Sequence, residues 1–335
     1  MSYFAVVGVV KLQKTIIYAN IISMLKNFSR KKSIIIFAVC YAALFIVLMA
    51  VGSAFDLQIS QRLTKGVLAA GQYYTDSVFA KTVEVVGASP IWIAMAFAFC
   101  FLFKWFFDGN FKKPLKILCC VAAFGAGIFV CFKLFAEILK YLLRDSALSA
   151  GVFGVCLACG VATWIGIFVI ANNFKADRTK LLRFAAAILC VSALYLIVAL
   201  IKTPVGRVRY RALNVLGSTE KYTAWFVVNG KRFLEGLPSD ACRSFPSGHT
   251  FSAGLIAMSL CLPYVSQKYD KKVWRIVFWT VSVAYTGLVA IGRVAAGAHY
   301  LTDVVAGGTL SLTGALVARE IALVAPQNKA EQKVE

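Results

Sequence analysis

Acidic charge is scarce in this chain: 15 Asp and Glu stand among 335 residues, against 36 Lys and Arg, and charged residues make up 15% in all. A soluble domain ordinarily carries about 25%, so an ordinary soluble fold is excluded. The few carboxylates do not cluster in any segment expected outside the membrane, which leaves no oxygen cage suited to magnesium there. Cysteine is present, but nine of the ten fall inside apolar segments, among them the adjacent Cys119 and Cys120. Neither a disulfide framework nor a zinc knuckle follows. Cys156 and Cys159 form a mid-membrane CxxC, where small side chains serve helix packing, and Cys242 alone lies in a polar loop, without an obvious partner. No repeat of 20 to 50 residues and no low-complexity linker divides the chain. A secretory signal is also missing, because the apolar run Phe4–Val10 precedes the first basic cluster instead of following it. Rarest among the reactive residues is histidine, with two: His249 and His299.

Hydrophobic residues, by contrast, make up 60% of the chain. Apolar stretches of about 20 residues, enough to cross a hydrocarbon core of roughly 30 Å, recur along it. We place eight spans at 33–55, 88–106, 116–138, 151–172, 182–201, 247–265, 273–292 and 300–324. The expected architecture is an all-α integral membrane protein, a helical bundle with a cytoplasmic segment 1–32, a membrane domain 33–324 and a cytoplasmic tail 325–335. The first 32 residues read as an interfacial helix, or alternatively synthesis begins at Met24. With the N-terminus inside, 21 basic residues fall on the inner side and 14 on the outer, the orientation that the positive-inside rule favours.

The formal net charge of +21 does not point to nucleic acid, because the basic residues sit in short clusters between spans and not along one soluble face. One outer loop breaks the topological pattern. Residues 202–246 concentrate Lys202, Arg207, Arg209, Arg211, Lys221, Lys231, Arg232 and Arg243, where the short outer loops hold two or three basic residues. An anionic ligand supplies a reason.

Both histidines fall at the outer ends of spans. His249 lies in Phe245-Pro246-Ser247-Gly248-His249-Thr250, where Pro and Ser mark a helix start, Gly leaves the backbone approachable, and free amides suit phosphate oxygens. A capped span explains Pro246 and Ser247 but does not ask for His249. His299 lies six residues after Arg293 and four before Asp303, so Asp303 shares its helical face. A carboxylate there can fix one ring nitrogen as N–H and aim the other at an electrophile. Alternatively, Asp303 is an acid of the first turn, favoured by the helix dipole. Lys202 and Arg209, at the exit of the fifth span, suit phosphoryl oxygens as point charge and fork; taken alone, such residues snorkel to headgroups.

Taken together, Lys202-x6-Arg209, then Pro246-Ser247-Gly248-His249, then Arg293-x5-His299-x3-Asp303 resembles the three-part signature of the type 2 phosphatidic acid phosphatase family, a group of membrane lipid phosphate phosphatases that shares its fold with vanadium haloperoxidases. The resemblance covers mainly residues 202–303, and more loosely the stretch from the first span through Asp56 and Gly87 to the second. It implies a six-helix phosphatase core, carried here mainly by 182–324, with His299 as nucleophile, Asp303 as its orienting partner and His249 as general acid. Lys202, Arg209, Ser247, the Gly248 amide and Arg293 would cradle the phosphate, without metal or other cofactor. The substrate implied is a lipid-linked phosphate, such as undecaprenyl diphosphate, a phosphatidate-type lipid or lipid A, met at the outer face of a bacterial-type inner membrane, with no obligate protein partner. Two positions depart from the pattern: Tyr210 stands where Pro usually follows, and Gly292 replaces Ser before Arg293. Five spans precede the first motif where the family usually has three, and the third and fourth form the extra pair.

Outside the signature, Lys133, Glu137, Lys140 and Arg144 share a face of the third span. The favoured reading is snorkelling with a Lys133–Glu137 pair; the alternative is a surface for a second phosphate or an acidic sugar. Two rival functions are a lipid phosphotransferase using the same phosphohistidine and a multi-pass transporter. The second is disfavoured because the ionisable residues collect at one face and not at the midplane.

Overall fold

The computed structural model describes residues 3–143, 149–174 and 176–324, with backbone alone for 3–31, 33 and 34. The chain falls into two units, Met1–Ala50 and Val51–Glu335. Arg144, Lys175 and the expected tail 325–335 lie outside the described residues.

The elements, in order, are α1 (Tyr3–Thr64), α2 (Val78–Phe107), α3 (Lys113–Leu143), α4 (Ala150–Asn172), α5 (Arg178–Val205), α6 (Tyr210–Leu216), α7 (Gly248–Gly254), a 3-10 turn (Leu255–Cys261), α8 (Leu262–Val265), α9 (Lys272–Ala295) and α10 (Leu301–Arg319). Among the described residues there is no strand, and eight helical segments are long and apolar enough to cross a membrane. The protein is a multi-pass membrane protein. Among the eight, Gly248–Val265 is a compound span that strings α7, the 3-10 turn and α8 together.

From Tyr3 onward, the expected cytoplasmic segment is helix continuous with the first span. No Gly or Pro occurs between Val9 and Val51, so nothing in the backbone chemistry interrupts it. The second helix starts at Val78, ten residues before the expected span. Its first turns carry Lys81 and Glu84, which hide them from hydropathy, while Ser77 caps the end by accepting from the Ala80 N–H at 3.5 Å.

Helix contacts follow the small residues. Gly127 of α3 lies under the Trp164 ring of α4, and a side chain at Gly160 would meet the Phe132 backbone at 2.9 Å. Cys156 is buried beside them and Cys159 half-buried, both free thiols, in keeping with a packing role. The main core joins α2, α3, α4, α5, the compound span and α10 around Phe101, Trp164, Phe184, Val198, Phe251 and Leu255.

Candidate active site

Gly206, left-handed at φ 57°, ends α5 by donating its N–H to the Lys202 carbonyl. The chain then leaves helical structure through Arg207 and is extended at Arg209 before α6 begins at Tyr210. Tyr210 is therefore the first helical residue, the position that proline favours, which accounts for the usual Pro and for the tolerance of Tyr. Gly292 has a different cause: the Val83 side chain of α2 occupies the space a serine would need.

Ser247 caps α7, accepting from the Thr250 N–H at 3.3 Å and sharing a 2.9 Å hydroxyl contact with it. Gly248 opens the helix, where a side chain would approach the Tyr195 ring at 3.1 Å. Lys202 Nζ donates to the carbonyls of Pro246 and Arg243 at 2.6 and 3.2 Å. Lys202 thus pins the loop that leads into α7.

At the start of α10, Asp303 accepts from the Tyr300 N–H at 2.9 Å, from Ser244 Oγ at 2.5 Å and from Arg207 Nη1 at 2.6 Å. His299 Nδ1 lies 3.6 Å from the same carboxylate, just beyond ordinary hydrogen-bond reach. Burial drives the His299 pKa well below its ordinary 6.5; Asp303 opposes this, while Arg209, Lys202 and Arg293 add to the lowering. The imidazole is thus neutral at pH 7, the form in which it can attack.

Arg207 is the residue that motif spacing did not single out. Its side chain is fully buried, with Nη2 at 2.9 Å from Asp56 and Nη1 donating to Thr302 at 2.8 Å as well as to Asp303. The Tyr300 ring stacks on it at 4.1 Å. Asp56 also accepts from the Thr302 N–H at 3.1 Å and from its hydroxyl, so the end of α1 is fastened to the start of α10.

Arg209, Arg293 and His249 open into one cavity of about 440 Å³, lined also by Tyr74, Glu84, Lys140, Tyr141, Arg211 and Asp240. Glu84 pairs with Arg293 at 2.6 Å and lies 3.9 Å from Arg211. Asp240 holds Arg209 and Arg211 at 3.1 and 2.9 Å and accepts from Tyr73 at 2.9 Å. Although burial opposes it, those two guanidinium groups hold the Asp240 carboxyl well below the usual range. Burial also pushes the Tyr73 phenol up to about 12, which keeps it a donor. His249 Nε2, Arg293 Nε and Arg211 Nε are buried without a hydrogen bond. Each such group costs roughly 1–3 kcal/mol unless a partner arrives, which suits a site that binds an anion.

The third helix contributes directly. Tyr141, at the end of α3, packs edge-on against His249 with centroids 5.0 Å apart. Of the α3 quartet, Lys133 sits 4.0 Å from Glu137 and over the Trp92 ring, whereas Lys140 reaches the cavity. A second cavity of about 680 Å³, between α2, α5 and the compound span, is walled by residues such as Ile93, Phe97, Phe184 and Leu255. No charged side chain lines it, so it suits hydrocarbon and not phosphate.

A family model, that of the PAP2 superfamily, matches residues 180–325, the segment that carries all three motifs. This segment belongs to the PAP2 superfamily. No curated protein and no solved structure matches the chain. Membership gives the PAP2 segment chemistry of the phosphatase or phosphotransferase type on lipid phosphates. Glu84, Lys140, Tyr141 and Asp56 reach the site from outside it.

Proposed function

We propose that this protein is a membrane phosphatase that hydrolyses a lipid-linked phosphate at the outer face of the membrane through a phosphohistidine. One observation supports this above the others: Arg209, Arg293 and His249, remote in sequence, meet at one cavity where His249 Nε2, Arg293 Nε and Arg211 Nε are buried without a hydrogen bond. In this reading a His299 ring nitrogen bonds to phosphorus as the bond to the leaving oxygen breaks, and His249 gives that oxygen its proton. Lys202, Arg209, Arg293 and the amide of Gly248 balance the charge spread over the phosphoryl oxygens. Water then attacks the phosphohistidine, His249 takes its proton, and inorganic phosphate leaves.

The test is phosphate release from lipid phosphates by the purified protein, with trapping of acid-labile phosphoenzyme. His299→Ala should lose both. His249→Ala should slow turnover by about 10²–10⁴ and recover with a substrate whose leaving group needs no proton. Phosphoenzyme in His299→Ala, or equal rescue of both variants, would contradict the assignment.

A further inference from the structure

Resting on the phosphatase reading above, we propose that the cavity holds a second anion subsite, built by Lys140 and Arg211 beside Arg209 and Arg293, which takes the inner phosphoryl group of a lipid diphosphate. The cavity measures about 440 Å³, more than ten times the roughly 30 Å³ share of a water. Four cationic side chains line it, Lys140, Arg209, Arg211 and Arg293, against two carboxylates, Glu84 and Asp240. Two of the cations are outside the family signature.

Position gives the direction. His249 supplies the proton to the leaving oxygen, so whatever is joined to that oxygen lies on the His249 side of the cradle. Tyr141 covers that side at 5.0 Å, and Lys140 is its chain neighbour. The Lys140 side chain is 51% exposed and tied only loosely, 3.9 Å from Glu137, so it is free to turn onto a ligand. Arg211 is fixed by comparison, with Tyr73 and Tyr74 at 4.3 and 4.9 Å and Asp240 at 2.9 Å. Its buried Nε carries no hydrogen bond. With a diphosphate, His299 bonds to the terminal phosphorus and the bridging P–O bond breaks. The bridging oxygen takes the proton from His249, and lipid monophosphate departs from the Lys140 subsite.

The experiment measures kcat/KM of the purified full chain on a long-chain prenyl diphosphate and on the matching monophosphate, for wild type, Lys140→Gln, Lys140→Arg and His299→Ala. Lys140→Gln should lose about tenfold more on the diphosphate than on the monophosphate, and Lys140→Arg should keep the wild-type ratio. An equal loss on both substrates, or none on either, overturns the subsite. Turnover by His299→Ala, or a wild type inert toward both lipids, overturns the phosphatase reading instead.

Discussion

Arg207→Met is the substitution that tests the buried framework most directly. It preserves much of the side-chain volume and removes the charge that lies 2.9 Å from Asp56 and 2.6 Å from Asp303. Both carboxylates are fully buried, so neither gains water in exchange. Removing one partner of a buried pair costs about 3–5 kcal/mol, a large part of the roughly 5–15 kcal/mol that holds a typical fold. At roughly 2–4 °C per kcal/mol for domains approaching this size, thermal unfolding in detergent should fall by roughly 6–20 °C. Activity should fall with it, because Asp303 would no longer be held beside His299. Adding Asp56→Asn removes one stranded charge, and the double variant should be more stable than the sum of the single changes by at least about 1 kcal/mol. A shift below about 2 °C for Arg207→Met, or plain additivity, would refute this account.

Three further outcomes are expected. Gly292→Ser should cost about 1–3 kcal/mol of stability by overpacking against Val83, and Val83→Ala should relieve it; a neutral Gly292→Ser would show that α2 yields freely. Phosphatase activity should survive EDTA, because Arg209, Arg293 and Lys202 bring the positive charge that metal brings elsewhere; loss reversed only by magnesium would count against this. A reporter fused after Phe226 should lie outside and one after Asp270 inside, given 21 inner against 14 outer basic residues; reversed signals would move the chemistry to the cytoplasm.

The parts of the site visible in sequence are those with local spacing. His299 and Asp303 are one helical turn apart, and Pro246 to His249 is a contiguous helix start. Arg207 was hidden because it looks like one of eight basic residues in a loop, while its partners Asp56 and Asp303 lie 151 and 96 positions away. Glu84 and Lys140 were legible as charges, but nothing in their own neighbourhoods says that α2 and α3 end at the same cavity. The spans were readable from hydropathy wherever charge is absent. At α1 and α2 the helices run on past the apolar stretch and carry Asp56, Arg62, Lys81 and Glu84, so hydropathy alone does not mark their ends. Those overhanging turns are where the helices meet the site.

Asp56, Glu84 and Tyr141 together set a lower bound on what can be cut away. A fragment holding only residues 180–325 would keep every motif residue. It would also strand Arg207 with one carboxylate instead of two, leave Arg293 without its 2.6 Å counterion, and bare the face of His249 that Tyr141 covers. Minimal versions of this enzyme, whether for expression or for grafting its chemistry onto another scaffold, must therefore carry α1 from Gly52 onward, α2 and α3 along with the segment that bears the signature.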